Sequence, residues 1–228
     1  MTLALESNAF LMGIEYLAIF CWGLLGGLAA IRKGYDLFAV LLTSWLTALG
    51  GGVIRDVLLG IFPPPGIVDK RMVLTALVAS IVVACFHPEV GKMYWSMLVL
   101  DGVALGLFAV NGTAKALVHG TSGMTAIFLG MVTALGGGLI RDTLLNEVSV
   151  VIADRHWYAV PTLIACILTV LVTRGFQSGR LSFEDEVFFD LSIVCMVLAL
   201  RLLSVKFNWV VPGALQRSKH QMEENTQA

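Results

Sequence analysis

The chain has 228 residues, of which 57% are hydrophobic and 14% charged, with a mean hydropathy of +0.85 and a formal net charge of −1. Soluble domains are about half apolar and about a quarter charged, so a soluble core of this length could not hide so much apolar surface, whereas a lipid bilayer accepts it. The near-neutral charge gives no sign of a nucleic-acid partner. The composition therefore predicts an integral membrane protein.

Seven apolar runs follow one another along the chain. They are too long for barrel strands, so they are predicted to be transmembrane helices. They cover roughly residues 10–31, 36–62, 72–86, 94–118, 122–145, 157–172 and 187–203. The second run stops at Pro63–Pro65, since a helix does not continue through consecutive prolines, and the third stops at His87-Pro88. The polar tail, residues 213–228, is predicted to be disordered.

An odd number of spans places the two termini on opposite sides of the membrane. Five lysines and arginines fall on the side of the N-terminus and eight on the other side. Basic residues accumulate on the cytoplasmic side, so the N-terminus is predicted outside and the C-terminus inside. Lys70 and His119 should then lie outside, whereas Lys33, Lys92 and the tail should lie on the cytoplasmic side.

A duplicated motif organises the chain. Thr47–Leu59 reads TALGGGVIRDVLL and Thr133–Leu145 reads TALGGGLIRDTLL, with eleven of thirteen positions identical at an offset of 86. The same offset maps Glu15 onto Asp101. Each unit holds three helices, and because three is odd the second copy must enter the membrane from the opposite side. This predicts two inverted repeats, 10–90 and 94–174, followed by a seventh helix at 187–207.

Each copy of the motif carries three consecutive glycines in the middle of its predicted span. These are Gly50, Gly51 and Gly52 in span two, and Gly136, Gly137 and Gly138 in span five. A glycine in a helix interior costs roughly 1 kcal/mol relative to alanine. Three in a row therefore predict a kink, or a place where helices or backbone carbonyls approach closely. Glycine-interrupted helices of inverted repeats often line a transport path; the alternative is a packing seam of small residues.

An arginine and an aspartate follow each glycine triplet, as Arg55-Asp56 and Arg141-Asp142. Charges at this depth cost at least about 2.5 kcal/mol each and should face the bundle interior with partners. Adjacent helical residues point about 100° apart, so the two members of each dipeptide are not expected to neutralise each other.

Depth along the spans suggests other partners for these arginines. Glu15 and Asp101 are predicted to lie at the levels of Arg55 and Arg141, which favours the ion pairs Glu15–Arg55 and Asp101–Arg141 within each repeat. The charges would then either only lock helices together or also line a polar path, with Asp56 and Asp142 left to meet a cation. Lys115 is expected to reach the headgroups.

Few other residues carry chemistry. Thr47, Thr133, Asn111 and Thr113 add modest polarity to the predicted core. The four cysteines fall inside apolar runs and are interpreted as small buried hydrophobes. No nucleophile-and-base spacing, phosphate-binding glycine loop or metal cluster is found, so the sequence predicts neither an enzyme nor a bound cofactor or metal.

Seven spans, two inverted three-helix units and the GGG-x-IRD motif in helices two and five resemble the prokaryotic branch of the trimeric intracellular cation channel family. The resemblance covers about residues 10–207. It implies a homotrimer in which each subunit has its own potassium-permeable path between kinked helices two and five. It also implies that Gly50–Gly52, Gly136–Gly138 and the two Arg-Asp pairs lie near that path, open to potassium or another monovalent cation.

Two other functions fit the same pattern. Some bacterial proteins with this duplicated motif resemble carriers of a small amino acid such as glycine, and a midplane site with a few convergent charges can bind a zwitterion. A structural membrane protein without any path is the remaining alternative, and a core poor in free polar groups would favour it.

Overall fold

The computed structural model describes residues 2–86, 94–153 and 156–210. Regular structure in these ranges is helical, apart from an isolated bridge between His156 and Val210. The helices are α1 (Thr2–Arg32), α2 (Leu37–Leu58), α3 (Pro65–Val68), α4 (Lys70–Phe86), α5 (Tyr94–Val118), α6 (Gly123–Leu144), α7 (Val150–Ala153), α8 (Ala159–Gln177) and α9 (Phe183–Lys206). The predicted break at His87-Pro88, Lys92 and the tail at 213–228 lie outside the described residues.

Seven of these helices overlap the seven predicted runs, although α1 begins eight residues earlier and α8 ends five residues later than predicted, and α3 and α7 are additional single turns. Six helices in the described part of the chain are long and apolar enough to cross a membrane, namely α1, α2, α5, α6, α8 and α9. The predicted third span, α4, has 17 residues, or about 26 Å at 1.5 Å per residue, which is slightly less than the roughly 30 Å of a bilayer core. The protein is thus an all-helical integral membrane protein.

The second span ends earlier than predicted. Helix α2 stops at Leu58, and Gly60 then takes a positive φ of 75°, a conformation that glycine adopts without steric cost. Gly50–Gly52 are consequently residues 14 to 16 of a 22-residue helix, and not its midpoint. Helix α6 repeats this placement, with Gly136–Gly138 at residues 14 to 16 of 22.

Residues that lie 86 positions apart build the same local structure at both ends of α2 and α6. The side chain of Asp36 caps α2 by accepting from the Ala39 amide, and the side chain of Ser122, 86 residues later, caps α6 by accepting from the Thr125 amide. The amide of Ile61 donates to the Asp56 carbonyl oxygen at 2.9 Å, and the amide of Glu147 donates to that of Asp142 at 2.8 Å.

The core forms where the two halves of the chain meet. Helix α1 packs on α2, α4 and α5, helix α5 packs on α6, α8 and α9, and α2 packs against α6. Trp22 of α1 lies edge-on against Phe108 of α5, with ring centroids 5.6 Å apart, and both are 2% exposed. Two of the cysteines predicted to be buried, Cys85 and Cys195, are exposed on the helix surface.

Candidate functional site: the helix crossing and its two charged cavities

Helices α2 and α6 cross in backbone contact at their central glycines. A Cβ atom on Gly51 would clash with the Thr133 carbonyl oxygen, and one on Gly137 would clash with the Thr47 carbonyl oxygen and the Trp22 ring. Both helices continue without a break through their triplets. The glycines therefore serve close approach of two backbones, the second of the roles predicted for them, because any side chain there would push the helices apart.

The motif threonines lie beside the same crossing. Thr47 and Thr133 are each 1% exposed. A Cβ on Gly26 of α1 would come within 2.7 Å of the Thr47 hydroxyl, and a Cβ on Gly112 of α5 within 2.7 Å of the Thr133 hydroxyl. Each threonine is thus held between its own helix and a glycine of the preceding long helix.

The first charge cluster surrounds Arg55, which is fully buried. Its Nη2 lies 2.7 Å from Glu15 Oε1, so the predicted Glu15–Arg55 ion pair is present. Its Nε donates to Asp56 Oδ1 at 2.8 Å, and its Nη1 donates to Asn111 Oδ1 at 2.8 Å. The expectation that Arg55 and Asp56 do not neutralise each other was wrong, because the long arginine side chain turns its guanidinium back toward the neighbouring carboxylate.

Lys115 completes this cluster. Its Nζ lies 3.1 Å from Asp56 Oδ1 and 3.8 Å from Glu15 Oε1, so the prediction that it reaches the headgroups was wrong. Asn111 precedes Lys115 by four residues, which places both on one face of α5 toward α1 and α2. Two carboxylates and two cations thus form a neutral cluster in the interior.

The second cluster surrounds Arg141 and departs from the first. The Arg141 guanidinium binds Asp142, with Nη2 2.7 Å from Oδ1, and Asp142 Oδ2 accepts from the Val150 amide at 2.9 Å. This again contradicts the expectation for an adjacent arginine and aspartate. The carboxylate oxygens are satisfied by the same dipeptide and by the first turn of α7.

The charges of the predicted pair Asp101–Arg141 attract each other across the interior, but the direct contacts that the structure shows for Asp101 are with other residues. Asp101 accepts a hydrogen bond from the Tyr158 hydroxyl at 3.2 Å and lies 3.9 Å from Arg201 Nε. The Arg201 guanidinium also sits over the Tyr158 ring, 4.6 Å from its centroid. Arg201 was not predicted to belong to the site, although an arginine inside the seventh apolar run is itself a signal for a functional position.

Two cavities flank the helix crossing, with volumes of about 590 Å³ and 330 Å³. Their linings correspond to each other through the 86-residue offset. The matched pairs, larger cavity first, are Met97 and Leu11, Leu98 and Met12, Asp101 and Glu15, Leu25 and Asn111, Ala29 and Lys115, Arg32 and Val118, and Lys33 and His119. Seven lining residues of each cavity are therefore related by the same 86-residue offset.

The cavities differ in what fills them. Lys115 extends into the smaller cavity, whereas the corresponding residue of the larger cavity is Ala29. A third void of about 10 Å³ lies between Glu15, Asp56, Gly52 and Phe108. This is about the least space that holds one water molecule, so the interior is narrow where the charged cluster approaches the glycine triplet of α2.

The chain is similar to a family of bacterial membrane proteins. A family model described as "Glycine transporter" matches residues 12–88 and again residues 98–174. The UPF0126 inner membrane protein YadS of Escherichia coli is 32% identical over 82% of this chain and 87% of its own length. A UPF0126 membrane protein of Vibrio cholerae is 31% identical over 82% of this chain and 75% of its own length.

Solved structures of trimeric intracellular cation channels share the fold. The trimeric intracellular cation channel orthologue from Rhodobacter sphaeroides superposes with a TM-score of 0.77 at 28% identity, covering 87% of this chain and 98% of its own. A second structure, from work on the structural basis of conductance through these cation channels, superposes with a TM-score of 0.76 at 29% identity, covering 90% of this chain and 97% of its own. A prokaryotic channel of the same family, crystallised in 0.5 M KCl, superposes with a TM-score of 0.77 at 26% identity, covering 90% of this chain and 100% of its own. These neighbours are channels and not enzymes.

Proposed function

Because the chain belongs to the bacterial membrane-protein family matched by the glycine-transporter model, and to the prokaryotic branch of the trimeric intracellular cation channels, we propose that it conducts monovalent cations, potassium among them. The observation that carries this proposal is the pair of corresponding cavities on either side of the α2–α6 crossing. A channel needs a cavity on each side of the bilayer centre and a narrow region with charged groups between them, so that an ion can reach the centre and leave it.

The proposed architecture is two inverted repeats, 10–90 and 94–174, with α9 added. Corresponding residues meet each other in the interior: Trp22 packs on Phe108, and Gly51 and Gly137 occupy the same crossing. Such self-contacts arise when a two-fold axis passes between the repeats. With three helices in each repeat, that axis lies in the membrane plane, which requires α4 to span; Lys70 and Arg71 at its start can reach the interface and offset its shortness.

The proposed path runs between α2 and α6, from one cavity through the glycine crossing to the other. Glu15 and Asp56 supply carboxylates at one end of this narrow region. Asp101 and Asp142 supply carboxylates at the other end. A carboxylate beside a narrow passage in low dielectric attracts a cation more strongly than one in water. The two arginines hold these carboxylates in place, and local bending at the triplets would widen the passage.

The proposed assembly is a homotrimer with one path per subunit in the bacterial inner membrane. The orthologue from Rhodobacter sphaeroides is a trimeric channel, and both cavities here are formed within a single chain. The trimer would therefore stabilise three separate paths, without building a shared central one.

A small amino acid is the second candidate cargo. The larger cavity is lined by Asp101 and Glu147 together with Arg32, Arg141 and Arg201, so it offers acidic groups for an ammonium and basic groups for a carboxylate. A volume of about 590 Å³ lies within the range of small-ligand sites, roughly 300–1,000 Å³. A lining with both acidic and basic groups favours the binding of a zwitterion, whereas a purely hydrophobic lining would not.

Reconstitution distinguishes the two cargoes. In planar bilayers we expect discrete conductance steps carried by potassium, and in liposomes a potassium flux that does not saturate at modest concentration. A carrier moves only a few molecules per cycle and would show slow, saturable uptake without steps. Saturable glycine uptake with no potassium conductance would overturn the channel proposal.

Lys115 provides the matched variants for this experiment. Lys115→Ala removes the cation that now occupies Glu15 and Asp56, so we expect a potassium conductance at least several-fold higher, because the cluster then carries a net negative charge. Lys115→Arg keeps the charge and should leave conductance near the wild-type level. Equal conductance for the alanine and arginine variants would show that ions do not pass this cavity.

Orientation is tested by cysteine labelling. The four native cysteines, two of them buried and two exposed, are first removed. Single cysteines are then placed at Lys70, Lys33 and His119. With the N-terminus outside, an impermeant thiol reagent should label positions 70 and 119 in intact cells and leave position 33 unlabelled. The opposite pattern would reverse the orientation without affecting the repeat.

A further inference from the structure

Helix α9 buries two acidic residues against the bundle, and neither belongs to the proposed path. Glu186 is 2% exposed and Asp190, one turn later, is 1% exposed. The same face of α9 reaches α5 very closely, since a Cβ on Gly106 would lie 3.0 Å from the Val194 Cα. Asp190 therefore points into the junction of helices and not toward lipid.

Two buried threonines of α8 lie level with these acids. Helices α8 and α9 run antiparallel, with the Trp157 amide bound to the Ser204 hydroxyl at 2.8 Å at one end and the Leu181 amide bound to the Gly175 carbonyl at 3.3 Å at the other. Counting inward from these contacts places Thr169 opposite Asp190 and Thr173 opposite Glu186. The two threonines are 0% and 2% exposed.

Polar atoms in this junction lack the partners that buried groups ordinarily have. Within the described residues, both carboxylate oxygens of Asp190 and the hydroxyls of Thr169 and Thr173 have no hydrogen-bond partner. Thr133 and Thr162, by contrast, use the preceding turn: Thr133 donates to Leu129 O at 2.6 Å and Thr162 to Tyr158 O at 3.0 Å. An unpartnered carboxylate in such a place would be very costly.

No cation in the described part of the chain is placed to neutralise Asp190. The stretch of α5 that faces it, residues 106–114, holds no charged or titratable side chain, and Cys166 is the titratable residue on the buried face of α8. Lys115 lies 3.1 Å from Asp56, and Arg201, three turns further along α9, lies 3.9 Å from Asp101. The charged neighbour on α9 itself, Glu186, is another acid and disfavours a second negative charge.

We propose that Asp190 is a proton-binding site, at which the carboxyl group holds a proton in the folded protein and donates it as a hydrogen bond within the α5–α8–α9 junction. A proton is favoured over a metal cation because none of the three cavities is lined by Asp190, and a proton needs no cavity. This site goes beyond the proposed conduction of cations.

A protonated Asp190 fixes the direction in which pH changes the stability of the folded protein. The unfolded, water-exposed carboxyl group gives up its proton in mild acid, whereas the buried one keeps it, so the folded state binds more protons and its stability falls as pH rises. We expect the melting temperature in detergent to be lower at about pH 8.5 than at about pH 5.5. Asp190→Asn keeps the shape of the protonated group and should remove most of this dependence, whereas the exposed control Glu184→Gln should retain it.

Further measurements make the test decisive. Wild-type protein should show the infrared band of a protonated carboxylic acid at neutral pH, a readout that does not depend on the variant folding. Absence of that band, or an unchanged pH dependence in Asp190→Asn, would overturn the proposal. A sodium-specific rise in melting temperature at high pH, lost in Asp190→Asn, would replace the proton by a metal cation. None of these outcomes depends on whether the path carries potassium or glycine.

Discussion

Gly51→Ala and Gly137→Ala are expected to destabilise the protein strongly and to reduce transport, although alanine is the better helix former. Alanine gains up to about 1 kcal/mol of helix propensity over glycine. Here its Cβ atom would overlap the Thr133 carbonyl oxygen at position 51, and the Thr47 carbonyl oxygen and Trp22 ring at position 137. Overpacking a core typically costs about 1–3 kcal/mol, and the cost rises when a backbone atom must move, so the net change is destabilising.

The same substitution at other glycines is the control. A Cβ on Gly13 of α1 would meet nothing within 4 Å, and one on Gly52 would only contact Arg55 Nη2 at 3.7 Å. Gly13→Ala should therefore leave the melting temperature unchanged or raised, and Gly52→Ala should be tolerated. Thermal unfolding in detergent measures all four variants. If Gly51→Ala melts like Gly13→Ala, α2 and α6 do not cross in backbone contact.

Arg55→Ala should harm the fold more than the double change Glu15→Ala with Arg55→Ala. Arg55 is fully buried and binds Glu15, Asp56 and Asn111 together. Its loss leaves Glu15 and Asp56 to share the single cation of Lys115, and breaking a buried ion pair typically costs about 3–5 kcal/mol. Removing Glu15 as well restores one carboxylate for one cation, because Lys115 already lies 3.1 Å from Asp56.

A double-mutant cycle on thermal stability measures this coupling. Additive effects of the two changes would show that Glu15 and Arg55 do not depend on each other. The matched control is the exposed ion pair between Lys33 and Glu147, 2.8 Å apart. The hydrogen bond to Glu147 raises the pKa of Lys33, yet both groups stay hydrated, and Lys33→Ala should leave the melting temperature nearly unchanged.

The elements that the sequence predicted well depend on local or repeated signals. The long apolar runs placed α5 at 94–118 and α6 within one residue of each end, because apolar length and capping residues act along the chain. Glu15–Arg55 was also predicted from sequence, since two charges at one depth on neighbouring helices have few other partners. The early end of α2 was missed because the residues that follow Leu58 are still mostly apolar.

The partners of long polar side chains were predicted less well. Lys115 turns into the interior, Arg55 and Arg141 bind their own neighbouring aspartates, and Asp101 contacts Tyr158 and Arg201. An arginine or lysine side chain reaches several ångströms from its Cα, so the direction of a residue on its helix does not decide where its charge lies. Arg201 belongs to α9, outside the repeat, and no internal symmetry could assign it.

By itself the sequence determined that this is an all-helical membrane protein, roughly where its long helices lie, and that its motif occurs twice. These properties follow from hydrophobic length and from identity between distant segments, both of which can be read along the chain. Only the tertiary structure decided that the glycines bring α2 and α6 into backbone contact, that Lys115 extends into one cavity where Ala29 stands in the other, and that Asp190 is enclosed with no hydrogen-bond partner among the described residues. Those features depend on which faces of separate helices pack together, and that choice is made by the whole bundle at once.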